Sequence, residues 1–163
     1  MKIRTVHPDN RKKAFEVVTY AKRYSLPYAK LEVRPSRQNP IIKVYVDEEL
    51  GKEAFTYELA SGDEGTVHID QVLDYNRDPR YMRDLLLYKL TLAAQQRVKK
   101  TSLSKRELIR RMGTSPAQFY RLLDQTNYSK SIDQLMVLLG ILDCDVDFVV
   151  KRKQACPGIP VGV

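Results

Sequence analysis

The polar residues best placed to do chemistry lie between positions 104 and 124, SKRELIRRMGTSPAQFYRLLD. Phe119, Leu122 and Leu123 recur at helical spacing and mark a buried side, which leaves Ala117, Gln118, Tyr120, Arg121 and Gln125 facing outward. Arg121 offers a planar fork of donors suited to a pair of acceptors. Bond-making chemistry has no comparable set. Asp47, Glu48 and Glu49 read as a solvated turn, and Asp143, Asp145 and Asp147 lack the glycine and distal glutamate of a calcium loop. His7 and His68 have no partners at metal-ligand spacing. Cys144 and Cys156 fit neither a zinc site nor a disulfide framework, and Cys144 reads as a small core residue. No phosphate-binding glycine loop or nucleophile–base pair is present. The expectation is a protein that is not an enzyme and uses no cofactor and no metal.

The elements that must position those outward side chains have local start and stop signals. Ser104 is an N-cap, and Glu107 three residues later can complete a capping box. Leu108, Met112 and Ile109 supply the inward side of that first helix. Gly113 ends it, because only glycine takes the left-handed conformation there without a Cβ penalty. Thr114 or Ser115 then caps a second helix, with Pro116 in its first turn, where the missing N–H costs nothing. Upstream, Asp78 caps a helix that starts at Pro79 and runs unbroken to about Lys100. Met82, Leu85, Leu86, Leu90, Ala93 and Ala94 give it a broad apolar face. Its first turns are expected to pack on the preceding domain and its later turns to open the helical one, so that it couples the two halves rigidly. Downstream, Ser131 caps a helix over residues 132–142 whose leucines 135, 138, 139 and 142 close the core. From Cys144 the period changes to two, with Val146, Phe148 and Val150 alternating, which predicts a strand.

In order and spacing, residues 90–146 resemble the helix-turn-helix of the lambda-repressor-like (Xre) family of DNA-binding domains. The likeness rests on the long preceding helix, LSKREL, the RRMGTS turn, QFYRLL and the following SIDQLMVLLGILDCDV. Two departures stand out. Ile109 replaces the family's usual small alanine, and Gln125-Thr126-Asn127-Tyr128 replaces the commoner Glu-x-Gly loop. The resemblance implies a second helix in the major groove whose N-terminal outward residues meet base edges, here Pro116, Ala117, Gln118 and Arg121. Gln118 can pair with adenine, Arg121 with guanine, and Ala117 can touch a thymine methyl, while Pro116 contributes only shape. Helix ends and the following loop imply a phosphate set of Lys99, Lys100, Ser104, Lys105, Arg106, Ser115, Tyr120, Asn127, Tyr128 and Lys130. Arg110 and Arg111 divide evenly between solvated face and phosphate contact. Such modules bind double-stranded DNA as homodimers, which makes a transcriptional regulator the leading expectation. Two rivals stand beside it. One is an antitoxin that also holds a toxin partner; the other is a protein-interaction adaptor without DNA.

Charge distribution agrees with the leading expectation. Of the formal +8 over 163 residues, residues 1–80 carry 14 Lys/Arg against 13 Asp/Glu, a net of +1. Residues 81–163 carry 14 against 7, a net of +7, on the half that bears the motif. The first half reads as a small antiparallel sheet of four to six strands. Residues 14–20 and 23–28 form a hairpin, with a helix over residues 10–24 as the alternative. A strand over residues 30–34 is followed by a proline-flanked loop at 35–40. Residues 41–46, 55–59 and 66–69 complete the strands, and residues 70–79 read as a boundary. The expected fold class is therefore α+β. A β-rich domain of unassigned role (1–78) is joined by a long helix to an all-α helix-turn-helix domain with a C-terminal strand (79–151), followed by a flexible tail (152–163). No signal peptide or membrane-spanning run appears, so a cytoplasmic protein that avoids membranes is expected.

Overall fold

The computed structural model describes residues 1–151; Cys156 and the tail expected at 152–163 lie outside the described residues. Among the described residues six strands form two antiparallel meanders. In the first, β1 (Ile3–Asp9) pairs with β2 (Ala14–Thr19), and β2 with β3 (Arg23–Pro27). In the second, β4 (Ile41–Val46) pairs with β5 (Ala54–Leu59), and β5 with β6 (Glu64–His68). Alternation explains β3, where Tyr24 and Leu26 point inward and Arg23 and Ser25 outward. The connections are fixed by side chains. Asp9 Oδ1 accepts the N–H groups of Arg11 and Lys12, and Thr19 Oγ1 those of Ala21 and Lys22.

Both sheets face one core. Phe15 lies edge-on to Phe55 and Tyr28, with ring centroids 4.9 and 5.1 Å away, a favourable arrangement for aromatic quadrupoles. The Ile3 N–H donates to Lys52 O at 2.7 Å, tying the first meander to the second. In the second sheet Tyr57 stands opposite Gly65 and donates its hydroxyl to Val33 O at 2.7 Å. A Cβ on Gly65 would overlap the Tyr57 phenol, so the glycine is required by space and not by backbone angle.

Helix α1 (Ile69–Tyr75) follows β6 directly, and Ile69, Val72 and Leu73 enter the same core. Helix α2 (Pro79–Lys100) begins at Asp78, whose Oδ1 accepts from the N–H groups of Arg80 and Tyr81. Its other oxygen takes the Tyr24 hydroxyl at 3.0 Å and the Lys22 ammonium at 2.7 Å. Asp78 is only 4% exposed, and these partners, Lys22 foremost, hold its carboxyl down to about 2. The chain divides into two compact units between Leu86 and Leu87, inside α2. The second unit contains the later turns of α2, α3 (Lys105–Met112), α4 (Pro116–Leu123) and α5 (Ile132–Ile141).

The expected fold class is corrected. The chain is α+β, with two three-stranded antiparallel sheets and five α-helices among the described residues, and not a single β domain followed by an all-α domain with a C-terminal strand. Three physical causes account for the difference. Strand β3 ends at Pro27 and the chain before β4 carries Pro35 and Pro40, all of which withhold N–H donors; the segment expected as a strand at 30–34 instead holds the end of a 3-10 turn (Tyr28–Lys30) and then irregular chain. Residues 70–79, read as a boundary, hold all of α1 but its first residue, Ile69, which was expected to end a strand; Ile69, Val72 and Leu73 find a sheet core to cover. Residues 144–150 form no strand. Their own unit holds no strand among the described residues to pair with, and Phe148, Val149 and Val150 are exposed at 59%, 76% and 97%.

Candidate nucleic-acid interface

The helical unit builds an exposed helix face by anchoring everything around it. Ser104 Oγ accepts the Glu107 N–H at 3.2 Å and starts α3. The reciprocal half of the capping box does not form. Glu107 is taken instead by Arg110, at 2.6 and 2.9 Å, and by Arg111, at 2.8 Å. Those guanidinium groups hold its carboxyl down to about 2. Gly113 adopts φ 63°, ψ 33° and donates its N–H to Arg110 O, while Thr114 N–H reaches Ile109 O. Ser115 Oγ then accepts the Gln118 N–H at 3.2 Å, with Pro116 in the first turn, so only three residues separate the end of α3 from the start of α4.

Leu108, Phe119, Leu122, Leu135, Leu138 and Leu139 are buried, and α3 packs against both α4 and α5. The buried side of α2 in this unit is Leu87, Leu90, Thr91 and Ala94, rotated from the expected face: Ala93 is exposed. Cys144, expected in the core, is half-buried, its Sγ 3.3 Å from Leu142 O.

All four residues assigned to base edges lie on the open side of α4. Pro116, Ala117, Gln118 and Arg121 are exposed, and the side chains of Gln118 and Arg121 make no hydrogen bond or ion pair with any described residue. Tyr120 is 54% exposed, its ring edge-on to Phe119, and the Lys105 ammonium stands 5.6 Å from that ring. Lys99, Lys100 and Arg106 are exposed, their side chains without a partner among the described residues, and Tyr128 is exposed as well. Ser104 and Ser115 accept cap hydrogen bonds and keep their hydroxyl protons for an outside acceptor. Between positions 97 and 128 there are eight Lys/Arg and two Asp/Glu, a net of +6.

Two members of the expected phosphate set are placed otherwise. Asn127 turns inward, donating Nδ2–H to Arg121 O at 3.2 Å and accepting the Ser129 N–H at 3.0 Å. The Lys130 ammonium is half-buried and divides its three donors among Thr91 Oγ1 (2.8 Å), Leu122 O (2.9 Å) and Asp124 O (2.5 Å). Burial lowers its affinity for the proton below the ordinary lysine value. Lys130 therefore closes the C-terminal carbonyls of α4 and ties them to α2. Gln95 does the same from α2, donating Nε2–H to Leu123 O at 2.7 Å. Thr91 and Gln95 were not singled out in the sequence; the available signal was a polar pair, four residues apart, on the side of the helix that carries Leu87, Leu90 and Ala94.

Among the described residues no three His, Cys, Asp or Glu side chains gather as a metal-ligand set, and no helix is long and apolar enough to cross a membrane. No family model, curated protein or solved structure matches the chain.

Proposed function

We propose that the helical unit is a lambda-repressor-like module that binds double-stranded DNA sequence-specifically, as a homodimeric transcriptional regulator. In this reading α4 enters the major groove, Gln118 and Arg121 read base edges, and Ala117 packs on a thymine methyl. Lys99, Lys100, Lys105, Arg106 and the serine hydroxyls of the two caps meet phosphate. The observation that carries the reading is the state of Gln118 and Arg121. Both planar, bidentate side chains stand exposed, with no partner among the described residues, on a helix whose two ends are held by Ser115, Lys130 and Gln95. Such a face is pre-organised and has its donors free.

Selection of bound duplexes from a random library tests the proposal. A recovered site with two half-sites separated by about one helical turn, roughly 34 Å, supports it. Absence of binding to any duplex at low salt refutes it and leaves the basic face to an acidic protein partner.

A further inference from the structure

The first unit carries a concave site for which DNA binding has no use. A cleft of about 580 Å³ opens among the turn after β1, the 3-10 turn at Tyr28–Lys30 and the loop of residues 34–40. That volume falls within the usual range of small-molecule pockets, about 300–1,000 Å³. Pro27, Pro35 and Pro40 give it flat apolar walls, and Lys13, Arg34 and Arg37 stand in its lining with no acid among them. The three cations are exposed and form no ion pair or side-chain hydrogen bond with any described residue. Elsewhere in the unit some cations are matched, as in Arg23–Glu16, Lys43–Glu58 and Lys22–Asp78, but the cleft gathers three that are not.

The cleft is also preformed. Tyr28 donates its N–H to Lys13 O at 2.8 Å and its hydroxyl to Asn10 Oδ1 at 3.0 Å, fixing the floor against the turn. The proline loop is closed by Ser36 N–H to Asn39 O at 3.0 Å. It is tethered to the neighbouring hairpin by Asn39 Nδ2–H to Ser61 Oγ at 2.9 Å and by Ala60 N–H to Pro40 O at 2.9 Å. Uncompensated cations carried on a tethered backbone beside apolar walls favour one kind of occupant. The walls take a flat hydrocarbon or aromatic body, and the guanidinium forks take an oxyanion in bidentate fashion.

We infer that this cleft binds a small organic anion: a flat apolar body bearing a phosphate or carboxylate group. The inference is independent of DNA binding by the other unit. It is tested on the full chain by calorimetric titration with four probes: 1-naphthyl phosphate, 1-naphthoate, 1-naphthol and inorganic phosphate. At least one aryl anion should bind at one equivalent, tenfold or more tighter than either naphthol or inorganic phosphate; which one wins identifies the headgroup. The double variant Arg34→Gln/Arg37→Gln should lose at least tenfold for the aryl anion and leave naphthol within twofold. Filling the cleft with Ala29→Trp should abolish binding of the anion. All three positions are exposed, so the far-UV circular dichroism and melting temperature of each variant should match the parent. The proposal is overturned if no aryl anion binds, if it binds no tighter than naphthol, or if the double variant retains full affinity. It is equally overturned if the substitutions weaken duplex DNA alone, because the cations would then belong to a nucleic-acid surface.

Discussion

Lys130 separates a structural role from a phosphate-binding one, because the two make opposite demands on the same substitution. Lys130→Met keeps the length of the side chain and removes the ammonium. Thr91 Oγ1 retains its own bond to Leu87 O, so the loss falls on Leu122 O and Asp124 O at the end of α4. Hydrogen bonds to a charged group contribute about 1.5–3 kcal/mol each when fully buried. The site is only half-buried, and water can replace part of what is lost, so a net destabilisation of about 1–2 kcal/mol is expected. For a unit of this size that lowers the melting temperature by about 4–8 °C per kcal/mol. The assays are thermal unfolding followed by circular dichroism, and DNA titration at three salt concentrations. A phosphate contact would take about 0.9 from the slope of log affinity against log salt when lost. Lys130→Met should leave that slope unchanged while the melting temperature falls. Lys130→Arg should not restore stability, since a planar fork cannot meet three acceptors gathered around one ammonium. A slope reduced by about one with unchanged melting would refute the reasoning and return Lys130 to the phosphate set.

Arg121→Ala should cost about 1–3 kcal/mol at the preferred site and relax the choice at one base position, whereas Lys99→Ala with Lys100→Ala should weaken all sequences alike. Titrations on matched and mismatched duplexes decide this; uniform weakening by Arg121→Ala would make Arg121 a phosphate contact and move the reading face towards Gln118. Asp78 has a folded pKa of about 2 against 3.8 when free, so its carboxylate stabilises the fold above pH 4, and that contribution is lost as pH falls from about 4 to 2. The difference corresponds to roughly 2 kcal/mol, and urea melts of the parent and Asp78→Asn at pH 7, 4 and 2.5 should converge across that window. Parallel loss in the two proteins would show that Asp78 is not responsible.

Where the physics is confined to four or five residues, the sequence was readable. The serine caps at 104, 115 and 131, the left-handed Gly113, Pro116 in the first turn of α4 and the Asp78-Pro79 start of α2 all depend on immediate neighbours. The exposed side of α4 followed from the same 3.6-residue period that buried Phe119 and Leu122. What depends on distant partners was not readable. Strand β1 contains Pro8, which tells against a strand until β1 is seen at the edge of its sheet, where a missing donor costs little. The alternation at 146–150 is a strand pattern with no partner strand among the described residues, and pattern alone cannot supply one. Lys130 looked like any loop lysine beside a basic motif. Only the approach of Thr91, thirty-nine positions earlier, shows where its charge goes. The cleft likewise read as a proline loop, since its cations are dispersed over positions 13, 34 and 37.

The pairing of Tyr57 with Gly65 restricts how this sequence can drift. Any side chain at 65 collides with a phenol that is itself fully buried and hydrogen-bonded to Val33 O, so the first step at 65 is closed while the tyrosine stands. The reverse order is costly too, because shrinking Tyr57 first opens a void in the core, at about 3–5 kcal/mol for an aromatic cut to alanine. Only a joint change is mild. Tyr57→Leu with Gly65→Ala should be less damaging than the two single effects added together, a coupling of about 0.5–3 kcal/mol that a double-mutant cycle would measure. The two positions thus behave as one inherited character: homologous chains should carry an aromatic facing a glycine, or neither.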